Sequence, residues 1–197
     1  YGSSALQNNN TGYGNVAIGG AALLNNNYGG QNTAVGTSTL FQNTGGNANT
    51  AVGMFSLNSN TTGTGNSAIG GSSLANNITG NYNTAVGLQA LYNNTSGLNN
   101  TATGSLALYL DTSGSYNTAN GYSALYYNST GSYNTAMGYN ALERNTIGTG
   151  NTATGNAALF YNTIANNNTA TGTEALYANS GNSNTATGCK ALHNNYG

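Results

Sequence analysis

Apolar residues along this chain return at a long fixed interval, not at the 3.6 or 2 residues of a helix or strand. Leucine stands at Leu6, Leu23, Leu40, Leu57, Leu74, Leu91, Leu108, Leu125, Leu142, Leu159, Leu176 and Leu192, 17 residues apart until a last step of 16. An Asn-Thr-Ala-like segment keeps the same beat, with asparagines at Asn15, Asn32, Asn49, Asn66, Asn83, Asn100, Asn117, Asn134, Asn151, Asn168 and Asn184. Written as one unit, the chain reads N-T-A-x-G-x-x-A-L-x-x-N-x-x-G-x-x. The Ala two places after each of these asparagines holds in all 11 copies, and the Gly at the fifth position in 12 of 12. The second Asn gives way only to Asp111, and the second Gly only to Ala165. A repeat on this scale sets the architecture before any local propensity does.

A 17-residue unit with glycine at two fixed points leaves no room for two helices, and helix–helix repeats run to about 33–47 residues. Asn, Thr and Gly are also weak helix formers. Two short strands of about 4–5 residues fit better: N-T-A-x, then x-A-L-x. The corners G-x-x and N-x-x-G-x-x use residues that accept positive φ. A three-sided helix of hexapeptides needs about 18 residues and a sub-period of six; neither is present, so a flattened two-sided coil is expected. The fold class is therefore all-β: a β-solenoid, or parallel β-roll, of about 11–12 coils. Residues 1–197 form one repeat array with coils starting near 15, 32, 49, 66, 83, 100, 117, 134, 151, 168 and 184, read as a fragment of a longer chain with open coil edges at Tyr1 and Gly197. At a strand spacing of about 4.8 Å, the stack would be a rod roughly 55 Å long.

Stacking places each residue on its own copies. The leucines become an internal ladder with Ala opposite them. The asparagines become a ladder of side-chain amides that use donor and acceptor together. Asp111 interrupts the second such line, where a local accommodation is expected. Strand side chains alternate in direction, so if Ala points inward, Thr and the following residue point out. That following residue is Ile18, Val35, Val52, Ile69 and Val86, then Thr103, Asn120, Met137, Thr154, Thr171 and Thr187. An apolar outer line generally has a partner, and one Leu with a few Ala per coil is a thin core. The expected partner is the chain itself: a homo-oligomer, with a trimer around this face as the leading arrangement, or an end-to-end filament. The alternative is a lone solenoid.

Composition narrows the chemistry. Only Asp111, Glu143, Arg144, Glu174 and Lys190 are charged, and the net charge is −1. A chain so neutral offers no electrostatic footprint for nucleic acid or anionic membrane, and no apolar stretch approaches the ~20 residues of a membrane helix. One cysteine, Cys189, rules out an intrachain disulfide. Cys189 and the only histidine, His193, are four residues apart in the last coil, which is too few ligands for a metal site. The three carboxylates are scattered, and Glu143 and Arg144, adjacent in an expected strand, should point to opposite sides. The run GNVAIGG lacks the Lys and helix of a phosphate loop. No catalytic, cofactor or metal residue is assigned, and no enzyme activity is expected.

Two binding surfaces stay open. Tyrosine is uneven, with 11 of 15 after residue 90. Exposed Tyr with Asn suits a glycan or protein receptor, so Tyr122, Tyr126 and Tyr139 form the candidate binding surface; the alternative is aromatic ladders that only shield the rod. Thr101/Thr103, Thr152/Thr154, Thr169/Thr171 and Thr185/Thr187 repeat T-x-T, which on a flat face could bind ice.

The segments NVAIGGAAL (15–23) and NSAIGGSSL (66–74) resemble repeats in the head domains of trimeric autotransporter adhesins. The tandem NTAxG…AL…NTTG pattern is also similar to repeats of bacterial and phage tail-fibre-like proteins. The resemblance implies a trimerising parallel β-roll in an extracellular, cell-surface or virion-surface fibre that attaches to host surfaces. The expectation from sequence is thus a structural, adhesive fibre segment, with an ice- or glycan-binding solenoid as the alternative.

Overall fold

The computed structural model describes residues 2–196, so the expected open edges at Tyr1 and Gly197 lie outside the described residues. The Thr-Ala-x triplets form eleven strands of three residues, from Val16–Ile18 and Thr33–Val35 to Thr169–Thr171 and Thr185–Thr187. They make one parallel sheet whose strand order is the chain order. The register never slips: Ala17 faces Ala34, Ala34 faces Ala51, and Ala170 still faces Ala186 across the 16-residue step. The strands are one residue shorter than expected because the leading Asn drops out, its backbone N–H donating to the side-chain Oδ1 of the Asn in the coil before; Gly at φ 123–145° follows on the other side in all twelve copies. Alternation sends the central Ala inward and its two neighbours out, the exposed–buried–exposed pattern of Thr50–Val52.

The expected second strand, x-A-L-x, is absent from every described coil, where this segment is a turn. Along this segment the backbone alternates hand: φ is 134° at Gly36, 53° at Ser38 and 50° at Leu40. All twelve ladder leucines sit at φ 47–55°. The left-handed region disfavours L-residues by roughly 1–2 kcal/mol each, but it turns two adjacent side chains inward. Ala90 and Leu91 are both fully buried, which alternating strand faces forbid. Hydrogen bonding between coils survives the change. The Ser38 N–H donates to Gly20 O at 2.9 Å in the coil before, and the Leu40 N–H to Ser56 O at 3.1 Å in the coil after. Among the described residues, only Ala178–Asn179 and Asn194–Asn195 pair as strands on this side, just after x-A-L-x. The same geometry corrects the expectation for Glu143 and Arg144. They lie on one side, with Nε 3.7 Å from Oε1.

The core is a single column of Leu and Ala running the length of the stack. Leu23 to Leu176 of the ladder are fully buried, while Leu192 is 53% exposed. Two amide ladders flank the column. In the first, Asn49 Nδ2 donates to Gly63 O at 2.8 Å, while its Oδ1 accepts the Asn66 backbone N–H at 2.9 Å. In the second, Asn60 Nδ2 donates to Asn43 Oδ1 at 2.7 Å, and Asn77 Nδ2 to Asn60 Oδ1 at 2.8 Å. Burial without water is affordable for these amides because each has its partner in the next coil.

Candidate functional site

The ladders consume the invariant positions, so any surface for recognition is built from the variable ones. Aromatic residues there are sorted into separate lines by their slot in the coil. Tyr92, Tyr109 and Tyr126 stack with ring centroids 5.3 and 5.1 Å apart. Tyr116 stacks on Tyr133 at 5.0 Å, and Tyr122 on Tyr139 at 5.5 Å. Of the candidate residues, Tyr122 and Tyr139 therefore share one line, both about half exposed, while Tyr126 belongs to another. Tyr126 also meets Tyr127 edge-on at 4.7 Å. Burial is the main cause that holds the Tyr126 phenol above its ordinary range.

Tyr122 and Tyr126 nonetheless converge. With Leu106, Ser123, Tyr127, Asn140 and Glu143 they line an open depression of about 300 Å³. Asn140 Oδ1 in this wall is buried and has no hydrogen-bond partner. Glu143 sits beside it, its carboxyl raised by burial and lowered in part by Arg144. Arg144 stacks over the Tyr127 ring at 4.7 Å and lies 6.0 Å from that of Tyr161, so it fills an aromatic slot between two rings. The depression thus offers aromatic faces, hydroxyls and a carboxylate.

Two features were not legible from spacing. The first is a more apolar hollow of about 470 Å³ toward the end of the chain, walled by Tyr161, Ile164, Tyr177 and Tyr196 among others. The second is a small polar cluster. Glu174 Oε2 meets His193 Nε2 at 3.2 Å and Lys190 Nζ at 3.4 Å, while His193 stacks on Tyr177 at 5.0 Å. Residues 16 and 19 apart are coil neighbours, which was the available signal. Cys189 is exposed and in no disulfide. Among the described residues no group of three or more His, Cys, Asp or Glu could hold a metal ion.

The outer face of the sheet carries the remaining candidates. Ile18, Val52, Ile69 and Val86 are 36–45% exposed in nearly successive coils. Thr152–Thr154, Thr169–Thr171 and Thr185–Thr187 are adjacent strands at the other end of this face. Comparison of the chain with family models, with curated proteins and with solved structures returns no match.

Proposed function

We propose that this chain is a structural segment of an extracellular, cell-surface or virion-surface fibre, and that it associates with copies of itself along the Thr-Ala-x face. The observation that supports this most is the unbroken register of eleven strands whose invariant residues are all spent on stacking. Such a repeat builds length and stiffness. It leaves an apolar line, Ile18 to Val86, that monomers seldom leave bare. Sedimentation of the isolated segment tests the reading. The expected species is a trimer that reverts toward monomer in the double variant Val52→Asn, Val86→Asn. A wild-type monomer at high concentration would defeat the self-association part.

A second, compatible reading is attachment to surface glycans at the Tyr122–Tyr126 depression. The half-exposed Tyr122 ring and the Glu143 carboxyl, both lining the depression, support it, because the ring can stack on a sugar face while the carboxyl accepts from sugar hydroxyls. On a glycan array, binding should be lost in Tyr122→Ala and Glu143→Gln. Binding that survives both changes removes the depression from the account.

A further inference from the structure

The second amide ladder has one defective rung, and its defect is chemically specific. In a normal rung each Asn Oδ1 accepts from the Nδ2 of the next coil. Asp111 keeps half of this pattern. Its Oδ1 accepts from Asn128 Nδ2 at 2.9 Å and from the Gly114 N–H at 3.1 Å. Its Oδ2 stands in the slot of the missing Nδ2 and has no partner, and neither does Asn94 Oδ1, the acceptor that Nδ2 would have served. Both oxygens are in fully buried residues. Two unpaired acceptors therefore fall on the same rung, where the other coils place one donor and one acceptor.

We propose that Asp111 is carried in the folded rod as the neutral acid, its Oδ2–H donating to Asn94 Oδ1, and that this rung is a proton-operated joint between the coils of Asn94 and Asp111. A proton repairs the ladder without needing space. A cation would need about six or more oxygen ligands, and only two oxygens here lack partners. Loss of the proton would leave a buried charge against the lone pairs of Asn94 Oδ1, an uncompensated state that proteins avoid.

The surroundings support the neutral form. Burial raises the Asp111 pKa from 3.8 to about 7, against smaller lowering by Asn128 and Gly114, with no charged neighbour contributing. The other ionisable side chains on the three coils concerned are Tyr92, Tyr109, Tyr116, Tyr122, Tyr126, Tyr127 and Tyr133, all exposed or half-buried. Because the folded pKa lies above the unfolded one, the native state holds the extra proton between the two. Stability should be greatest below about pH 4, fall as pH rises to about 7, and level off beyond.

Asp111 is the only aspartate in the chain, so carbon-13 labelling of aspartate gives one carboxyl resonance. That resonance should titrate near pH 7, and denaturant unfolding should become easier by about tenfold per pH unit between about pH 4 and 7. Asp111→Asn restores the Nδ2 donor, so it should remove most of this slope and stabilise the rod at pH 7. A resonance titrating near pH 4 overturns the proposal, as does an undiminished slope in Asp111→Asn. So does a stability gain from sodium or calcium, at constant ionic strength, that appears in wild type and not in Asp111→Asn. That last outcome would put a cation on the rung.

Discussion

The two recurrent glycines of the coil should respond differently to a single methyl group. Gly104 lies at φ 126°, and a Cβ there would sit 2.6 Å from Gly121 O, 2.7 Å from Gly121 C and 3.3 Å from Gly121 Cα, all backbone of the next coil. The strained φ costs an alanine roughly 1–3 kcal/mol, and overpacking against atoms that cannot rotate adds about 1–3 kcal/mol. Gly104→Ala should therefore lose about 2–6 kcal/mol. Gly131 is not at positive φ. A Cβ there would approach Asn128 Oδ1 and Gly148 O, each at 2.4 Å, and Asn145 Nδ2 at 2.9 Å. Two of these three atoms end side chains. The chain already holds an alanine in the equivalent slot: at Ala165 the matching rung, Asn179 Nδ2 to Asn162 Oδ1, keeps 2.9 Å, while the rung below it, Asn162 to Asn145, stretches to 3.5 Å against 2.8 Å for Asn145–Asn128. Gly131→Ala should cost about one weakened buried hydrogen bond with slight overpacking, ~1–2 kcal/mol. Urea unfolding followed by circular dichroism gives both numbers, provided the m-value is unchanged. Equal costs, or a larger cost at Gly131, would refute the reasoning.

Other substitutions probe the remaining elements. Leu108 is fully buried and Leu192 is 53% exposed, so Leu108→Ala should cost about 2–5 kcal/mol and Leu192→Ala under about 1 kcal/mol, measured in the same unfolding assay. Ala48 is exposed at φ 53°, in the coil slot that holds Gly14, Gly65 and Gly150 elsewhere; Ala48→Gly should therefore stabilise by about 0.5–1 kcal/mol, against the usual sign for Ala→Gly, and a loss would show that the left-handed strain is relieved in some other way. If the outer Thr strands bind ice, thermal hysteresis should appear at high protein concentration and fall in Thr171→Leu; its absence in the wild type removes that use of the face.

The ladders were legible because stacking makes each coil repeat its needs. Leu91, Ala85 and Asn83 recur at one period, and only residues with identical neighbours above and below are held so strictly. The conformation of the Gly87–Leu91 segment was not legible in the same way. Gln89 and Leu91 at φ 55° and 52° contradict their own propensities, and propensity was the only evidence for a second strand. The sequence also carries a signal against that strand: Ala and Leu recur side by side, and two adjacent inward residues do not fit a period of two. Side-chain placement on the rim failed for the same reason, which is why Glu143 and Arg144 meet instead of parting. Asp111 could be flagged by sequence as an interruption, since it breaks a column of asparagines. Its meaning could not, because Asp lacks the NH2 donor group of Asn, and the direction each amide faces in the ladder decides whether that group is missed. Here Oδ1 keeps its bond from Asn128 and also accepts the Gly114 N–H, while Oδ2 inherits the empty slot. The cost of the substitution thus falls on one oxygen pair, and one proton is enough to remove it.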